Sequence, residues 1–191
     1  MLNIENILEI PVSASDKMFP YSMNDECNRY TIRHRIANTK VNAGYAKLLY
    51  NDKTGRVTVE EHSPKDIRYI YLFTILDATN FCIACDILNS YIVTFNVGDQ
   101  AYYYFYSNNA VQQDIVPLYG MTSCACVLSD DFSNDSQLCI IAMNVDGIYL
   151  YTYNDRFTTN TKIADNDGTY VSITECGLLR NYSAYLEFET V

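Results

Sequence analysis

This chain of 191 residues has no tryptophan, only two histidines, four prolines and seven glycines. A Ser-His or Cys-His nucleophile would have to use His34 or His62. His34 alternates with arginines and His62 precedes Ser63-Pro64, so packing or solvated roles fit both better than catalysis. No G-x-S-x-G elbow, Walker loop or G-x-G-x-x-G stretch occurs, which disfavours hydrolase and nucleotide-binding readings. Long apolar runs are missing too. Runs such as Tyr69 to Phe73 are far too short for a bilayer-spanning helix. The N-terminal MLNIENILEI holds Glu5 and Glu9 and no basic region, so neither a secretory leader nor a membrane partner is expected.

The largest absence is of positive charge. From Tyr69 to Asp155 there is no lysine and no arginine, while aspartates recur from Asp77 onward. Residues 1–68 carry a net +1 and residues 69–191 a net −11, which together give the chain its −10. Most surfaces mix both signs. A one-sign stretch repels phosphate backbones, so nucleic acid is disfavoured, and it suits a basic partner or a surface covered by neighbouring subunits. The plainer reading is that the acids keep a tyrosine-rich surface soluble.

What the chain does contain is apolar and aromatic. Hydrophobic residues make up 49% and charged residues 19%, with 18 tyrosines, which is globular composition. A chain of this length buries about 70% of its unfolded surface, so it needs neither metal nor disulfide to fold. The seven cysteines (Cys27, Cys82, Cys85, Cys124, Cys126, Cys139 and Cys176) are an odd number. Several lie in apolar runs such as FCIAC and LCII and read as reduced core residues of a protein made in the cytosol. Cys82 and Cys85, three apart, would face opposite sides of a strand, and Cys124 and Cys126 lack a knuckle turn. No zinc and no cofactor is therefore expected.

Turn signals recur between β-branched and aromatic runs. The clearest is Asp146-Gly147 between Cys139–Val145 and Ile148–Tyr153, which predicts a type I′ hairpin with φ > 0 at both central residues. Further hairpins are expected at Cys82–Val97, Ala46–Glu61 and Thr169–Thr190, and strands at Ile67–Leu76 and Ala101–Ser107. The run YYYFY at 102–106 shows no alternation, so its strand has both faces covered or one aromatic face left for a partner. A likeness between Cys82–Asn96 and Cys139–Asn154 suggests propeller-like units, but two hairpins of similar composition explain it better. Only the N-terminus suggests a helix, with Ile4, Ile7 and Leu8 on one face.

Residues 11–44 differ in character. They hold the basic cluster Arg29, Arg33, Arg35 and Lys40, and TIRHRI reads as an edge strand with one basic face. The expected fold is all-β. It is a hairpin-rich antiparallel sandwich or distorted barrel of about ten strands over 41–191, with an irregular N-terminal arm and edge strand over 1–40. Asp130, Asp131 and Asp135, and Asp165 and Asp167 before Gly168, form acidic loops that hard cations or a hydrolase would use. Neither loop matches the calcium-loop pattern, and ordinary turn chemistry fits better.

The lead functional expectation is a non-enzymatic structural subunit of a homo-oligomer or larger assembly. Arg29, Arg33 and Arg35 and the tyrosines Tyr102, Tyr103, Tyr104 and Tyr106 are its expected interface, because tyrosine is favoured at protein contacts. A glycan- or protein-binding β module is the alternative, and a hydrolase using loop acids the third. In its Asn/Ile/Tyr-rich character the chain resembles neck, tail or capsid-associated proteins of tailed bacteriophages. That resemblance implies a virion component.

Overall fold

The computed structural model describes residues 10–11, 17–19, 34–36, 45–62, 66–85, 90–107, 114–130, 136–152, 157, 160–178 and 183–190, for some strand positions the backbone alone. Every paired strand is antiparallel. The first sheet is a meander of β4 (Tyr45–Asn51), β5 (Arg56–His62) and β6 (Ile67–Thr74). The second follows at once, as β7 (Ala78–Cys85), β8 (Tyr91–Val97), β9 (Gln100–Tyr106) and β10 (Ile115–Pro117). The third is β11 (Ser123–Asp130), β12 (Ser136–Asn144), β13 (Gly147–Thr152) and β14 (Asn160–Asp165). In the fourth, β15 (Tyr170–Leu178) and β16 (Ser183–Thr190) are joined by β1 (Ile10–Pro11), which pairs with β16. A ribbon of β2 (Lys17–Phe19) and β3 (His34–Ile36) completes the set, with β3 beside β4 and β7. Among the described residues there is no helix, and the residues of the expected N-terminal helix lie largely outside them.

The sheets stack face to face in chain order, and three cores form between them. Leu48, Val57 and Phe73 of the first sheet pack on Ile83, Val93 and Phe95 of the second. The other face of the second sheet, with Ile92 and Tyr103, packs on Cys124, Ile140 and Tyr151 of the third. The third sheet's far side, with Ile141 and Ile148, meets Ile173 and Phe188 of the fourth. Strand β8 shows the consequence at sequence level. Tyr91, Val93 and Phe95 face one neighbour and Ile92, Thr94 and Asn96 the other, so all six are buried and no polar alternation survives. The arrangement is sandwich-like, with successive layers and no closed barrel among the described strands. The first strand β11 also runs against the first strands β7 and β15 of the neighbouring sheets, as in successive propeller blades.

One expectation, about the hairpin turn, changes. The turn between β12 and β13 is Val145-Asp146, and Gly147 already pairs with Asn144 in the ladder without a positive φ. The cause is Asn144, whose Oδ1 accepts hydrogen bonds from the backbone N–H of Asp146 (2.9 Å) and Gly147 (3.1 Å) and shifts the turn back by one residue. Gly147 is needed for space instead, because a Cβ there would lie 2.7 Å from the carbonyl oxygen of Ala164. The likeness between 82–96 and 139–154 joins non-equivalent hairpins. One is the first of its meander (β7–β8) and the other the second (β12–β13).

Candidate functional site

Each meander sends the turn between its second and third strands, or between β4 and β5 in the first sheet, to the same end of the molecule as its outgoing linker. Hydrogen bonds fix this three times over. Ile75 N donates to Gly55 O (2.8 Å), and Tyr50 OH donates to Ile75 O (3.2 Å). Leu118 N donates to Ala101 O (2.9 Å), and Ala101 N donates to Met121 O (3.0 Å). Asn166 N donates to Asp146 O (3.4 Å), and Asn166 Nδ2 donates to Asn144 O (2.8 Å).

Asparagine recurs at the end of the strand before each of these turns: Asn51 and Asn144 are the last residues of β4 and β12, and Asn96 is the last but one of β8. Asn51 Oδ1 accepts from the N–H of Lys53 and Thr54, while Asn144 Oδ1 caps its own turn. Asn96 Nδ2 donates to Thr122 O at 2.6 Å and ties the second sheet to the following linker. Its Oδ1 is buried with no hydrogen-bond partner. This recurrence of Asn51, Asn96 and Asn144 is a sequence signal that periodicity alone does not reveal.

The linker end gathers charge of one sign. Asp52, Asp77, Asp99, Asp146, Asp165 and Asp167 are exposed there. The described cations at this end are Lys53, Arg56 and Lys162, the last bonded to Asp165 at 2.7 Å. That side-chain hydrogen bond holds the Lys162 ammonium above its usual range. Hydrogen bonds from Thr169 hold Asp167 below the usual carboxylate range. Between the acids, apolar side chains stand in solvent: Tyr119 is 83% exposed, Val145 73% and Leu76 55%. Asn144 Nδ2 donates to Gly120 O (3.2 Å), which sets the linker bearing Tyr119 beside the turn bearing Val145.

A second exposed aromatic strip lies on β6. Ile67, Tyr69 and Tyr71 are each at least half exposed. They oppose His62, Glu60 and Thr58 in the register, on the parity opposite to Val57 and Val59 of the core. Arg56 lies over the Tyr71 ring at 5.2 Å, a cation–π geometry. On the inner side Arg68 pairs with Glu61 at 3.0 Å, and Glu61 accepts a hydrogen bond from the hydroxyl of Tyr91 in the second sheet.

The tyrosines singled out in the sequence occupy β9, whose two faces are both packed within the chain. Tyr102 stacks on Phe95 with centroids 5.7 Å apart, Tyr104 meets Phe73 at 4.6 Å, and Tyr106 lies 6.2 Å from Tyr91. Tyr103 points the other way, edge-on to Phe157 at 5.3 Å. Tyr103 and Tyr104 are buried, and Tyr102 and Tyr106 half-buried. Burial, then the neighbours Tyr106, Tyr71 and Asp114, pushes the Tyr104 hydroxyl above its usual range. Arg29 and Arg33 lie outside the described residues. Arg35 is in β3 opposite Met18 in register, and its side chain is not described.

Thiols fill the seam between the second and third sheets. Cys82 Sγ donates to Cys126 O (3.4 Å), Cys126 Sγ to Ile92 O (3.5 Å) and Cys124 Sγ to Tyr102 O (3.6 Å). Burial pushes the Cys124 thiol up to about 12. Cys82, Cys124, Cys126 and Cys139 are thiols outside any disulfide. Among the described residues no three His, Cys, Asp or Glu side chains are placed to hold a metal ion, and no helix is long and apolar enough to cross a membrane. Asp131 and Asp135 lie outside the described residues, as does the Asp130 side chain. No protein-family model, curated protein or solved structure matches this chain.

Proposed function

We propose that this chain is a non-enzymatic β-domain serving as a structural subunit of a larger protein assembly, with its acidic linker end as a contact surface for a basic partner. The observation that carries the reading is the linker end itself, where Tyr119, Val145 and Leu76 stand exposed among aspartates. Exposed apolar groups rimmed by polar ones mark contact sites, and tyrosine supplies large contact area at low entropic cost. The acids would steer a basic surface to the contact and set its specificity more than its strength. A place in the neck, tail or capsid of a tailed phage is the form of assembly that the sequence character favours.

The test is the solution mass of the chain with its natural neighbours, for the native sequence and for Tyr119→Asp with Val145→Asp. Association should weaken with salt, because exposed charges are screened beyond about 8 Å at physiological ionic strength. It should also fall in the double variant. Association that the double variant leaves intact removes this surface. A chain that stays monomeric with every neighbour supplied overturns the assembly reading. A glycan-binding module is the second reading, favoured by the free face of Tyr119, and it requires Tyr119-dependent binding of an oligosaccharide.

A further inference from the structure

Tyr71 and Tyr119 are both more than half exposed, and their surroundings differ in charge. Tyr71 carries a cation of its own chain, with the Arg56 guanidinium 5.2 Å from the ring centroid. Tyr119 sits among acids. Its linker is tied on one side to Ala101, two residues beyond Asp99, and on the other to Asn144, two residues before Asp146. Both aspartates are exposed. The segments 98–101, 117–122 and 144–147 around Tyr119 all lie in the stretch without lysine or arginine. Of the described cations at this end, Arg56 is engaged over Tyr71 and Lys162 with Asp165. The Tyr119 ring also stands on fixed backbone. Leu118 and Met121, on either side of the Tyr119-Gly120 tip, are buried, and Gln100 Nε2 donates to Leu118 O at 2.7 Å. A ligand that meets this tip orders little of the protein, which favours binding.

We infer that Tyr119 is a docking position for an arginine side chain of a basic partner protein, with the guanidinium on the ring face and Asp99 and Asp146 as its flanking carboxylates. The inference rests on the contact-surface reading of the linker end and names the group that the partner supplies. The chemistry selects arginine over lysine. A guanidinium is planar and weakly hydrated, so it stacks on an aromatic ring and still offers N–H groups to carboxylates. An ammonium is a strongly hydrated point charge and does this less well. Arg56 and Tyr71 make the cation–π half of this contact within the chain. Charge argues for a different protein and against a second copy, because two chains of net charge −10 repel one another.

The test titrates the full chain with the peptide SRSRSRS and with its lysine and citrulline counterparts. Amide chemical shifts of residues 98–101, 118–121 and 144–147 should move with the arginine peptide, which should bind about threefold more tightly than the lysine peptide. The citrulline peptide, similar in shape but neutral, should not bind. Tyr119→Leu should remove the preference for arginine over lysine, and Asp99→Asn with Asp146→Asn should weaken both charged peptides alike. The peptide series on the native chain needs no variant, so it decides the matter even if a variant fails to fold. Equal binding of the arginine peptide and either counterpart, or shifts confined to other residues, overturns the inference, as does no binding at millimolar peptide. If the arginine peptide fails while Tyr119→Asp with Val145→Asp still lowers association with the natural neighbours, the arginine site is wrong and the contact surface stands.

Discussion

β6 and β9 are built from the same kinds of residue, IRYIYLFT and QAYYYFY, and they end in opposite places. β9 is the third strand of its meander, between β8 and β10, in a sheet with neighbours on both faces. β6 is the last strand of its meander, and its Tyr69 is 65% exposed while Tyr104 of β9 is 7% exposed. Composition makes both segments strands. Position in the meander decides which aromatics become core and which become surface.

The comparison breaks first if its interior half is not a true core. Phe95 is fully buried and touches the rings of Phe73, Phe81 and Tyr102. Phe95→Ala should lower stability in urea unfolding by about 3–5 kcal/mol. Tyr69→Ala should stay within about 0.5 kcal/mol, as surface changes do. Similar losses for the two would erase the distinction between the strands.

A smaller contrast sets a packed glycine against an open one. Gly147→Val drives a side chain against the Ala164 carbonyl and Lys162, and overpacking of this kind costs about 1–3 kcal/mol. Gly98 has φ +56° with nothing within 4 Å of an added Cβ, so Gly98→Ala should cost only about 1 kcal/mol, from backbone strain. Denaturant melts that reverse this order would show that turn conformation, and not space between sheets, controls the third sheet.

The last contrast appears only in alkali. Burial raises Cys124 from a thiol value of 9.0 to about 12 in the folded chain. The unfolded chain then releases this proton at lower pH than the folded one. Stability from this group is complete below pH 9 and declines as pH rises toward 12. Cys124→Ser should flatten that decline in thermal melts recorded across the alkaline range. In the native chain Cys124 should also resist alkylation at pH 8, because the reactive thiolate is suppressed. Rapid labelling of Cys124 would mean that the seam between the second and third sheets opens easily.

Much of the strand pattern is legible in the sequence because β-branched and aromatic runs carry it locally. The Ala46–Glu61 reading lies within β4 and β5, and of the two outcomes that the missing alternation in YYYFY leaves open, both faces covered or one left for a partner, the fold takes the first. The turn at Asn144 is not legible from the Asp-Gly pair, because a side chain outside that pair sets the geometry. The linker end is less legible still. Asp52, Asp99, Asp146 and Asp167 are far apart in the chain and converge only because every meander turns at the same end. The contrast between β6 and β9 needs strand order, which residue types do not encode.

The pairing of β1 with β16 has a kinetic consequence. Each meander is a local structure whose partners follow one another along the chain, so the loops it closes are short. β1 instead contacts a strand that begins at Ser183, and such a long loop must lose its entropy before the contact can repay it. During synthesis the meanders can therefore form in order, while Ile10 and Pro11 wait for the last strand. The fourth sheet should be the last to gain amide protection on refolding.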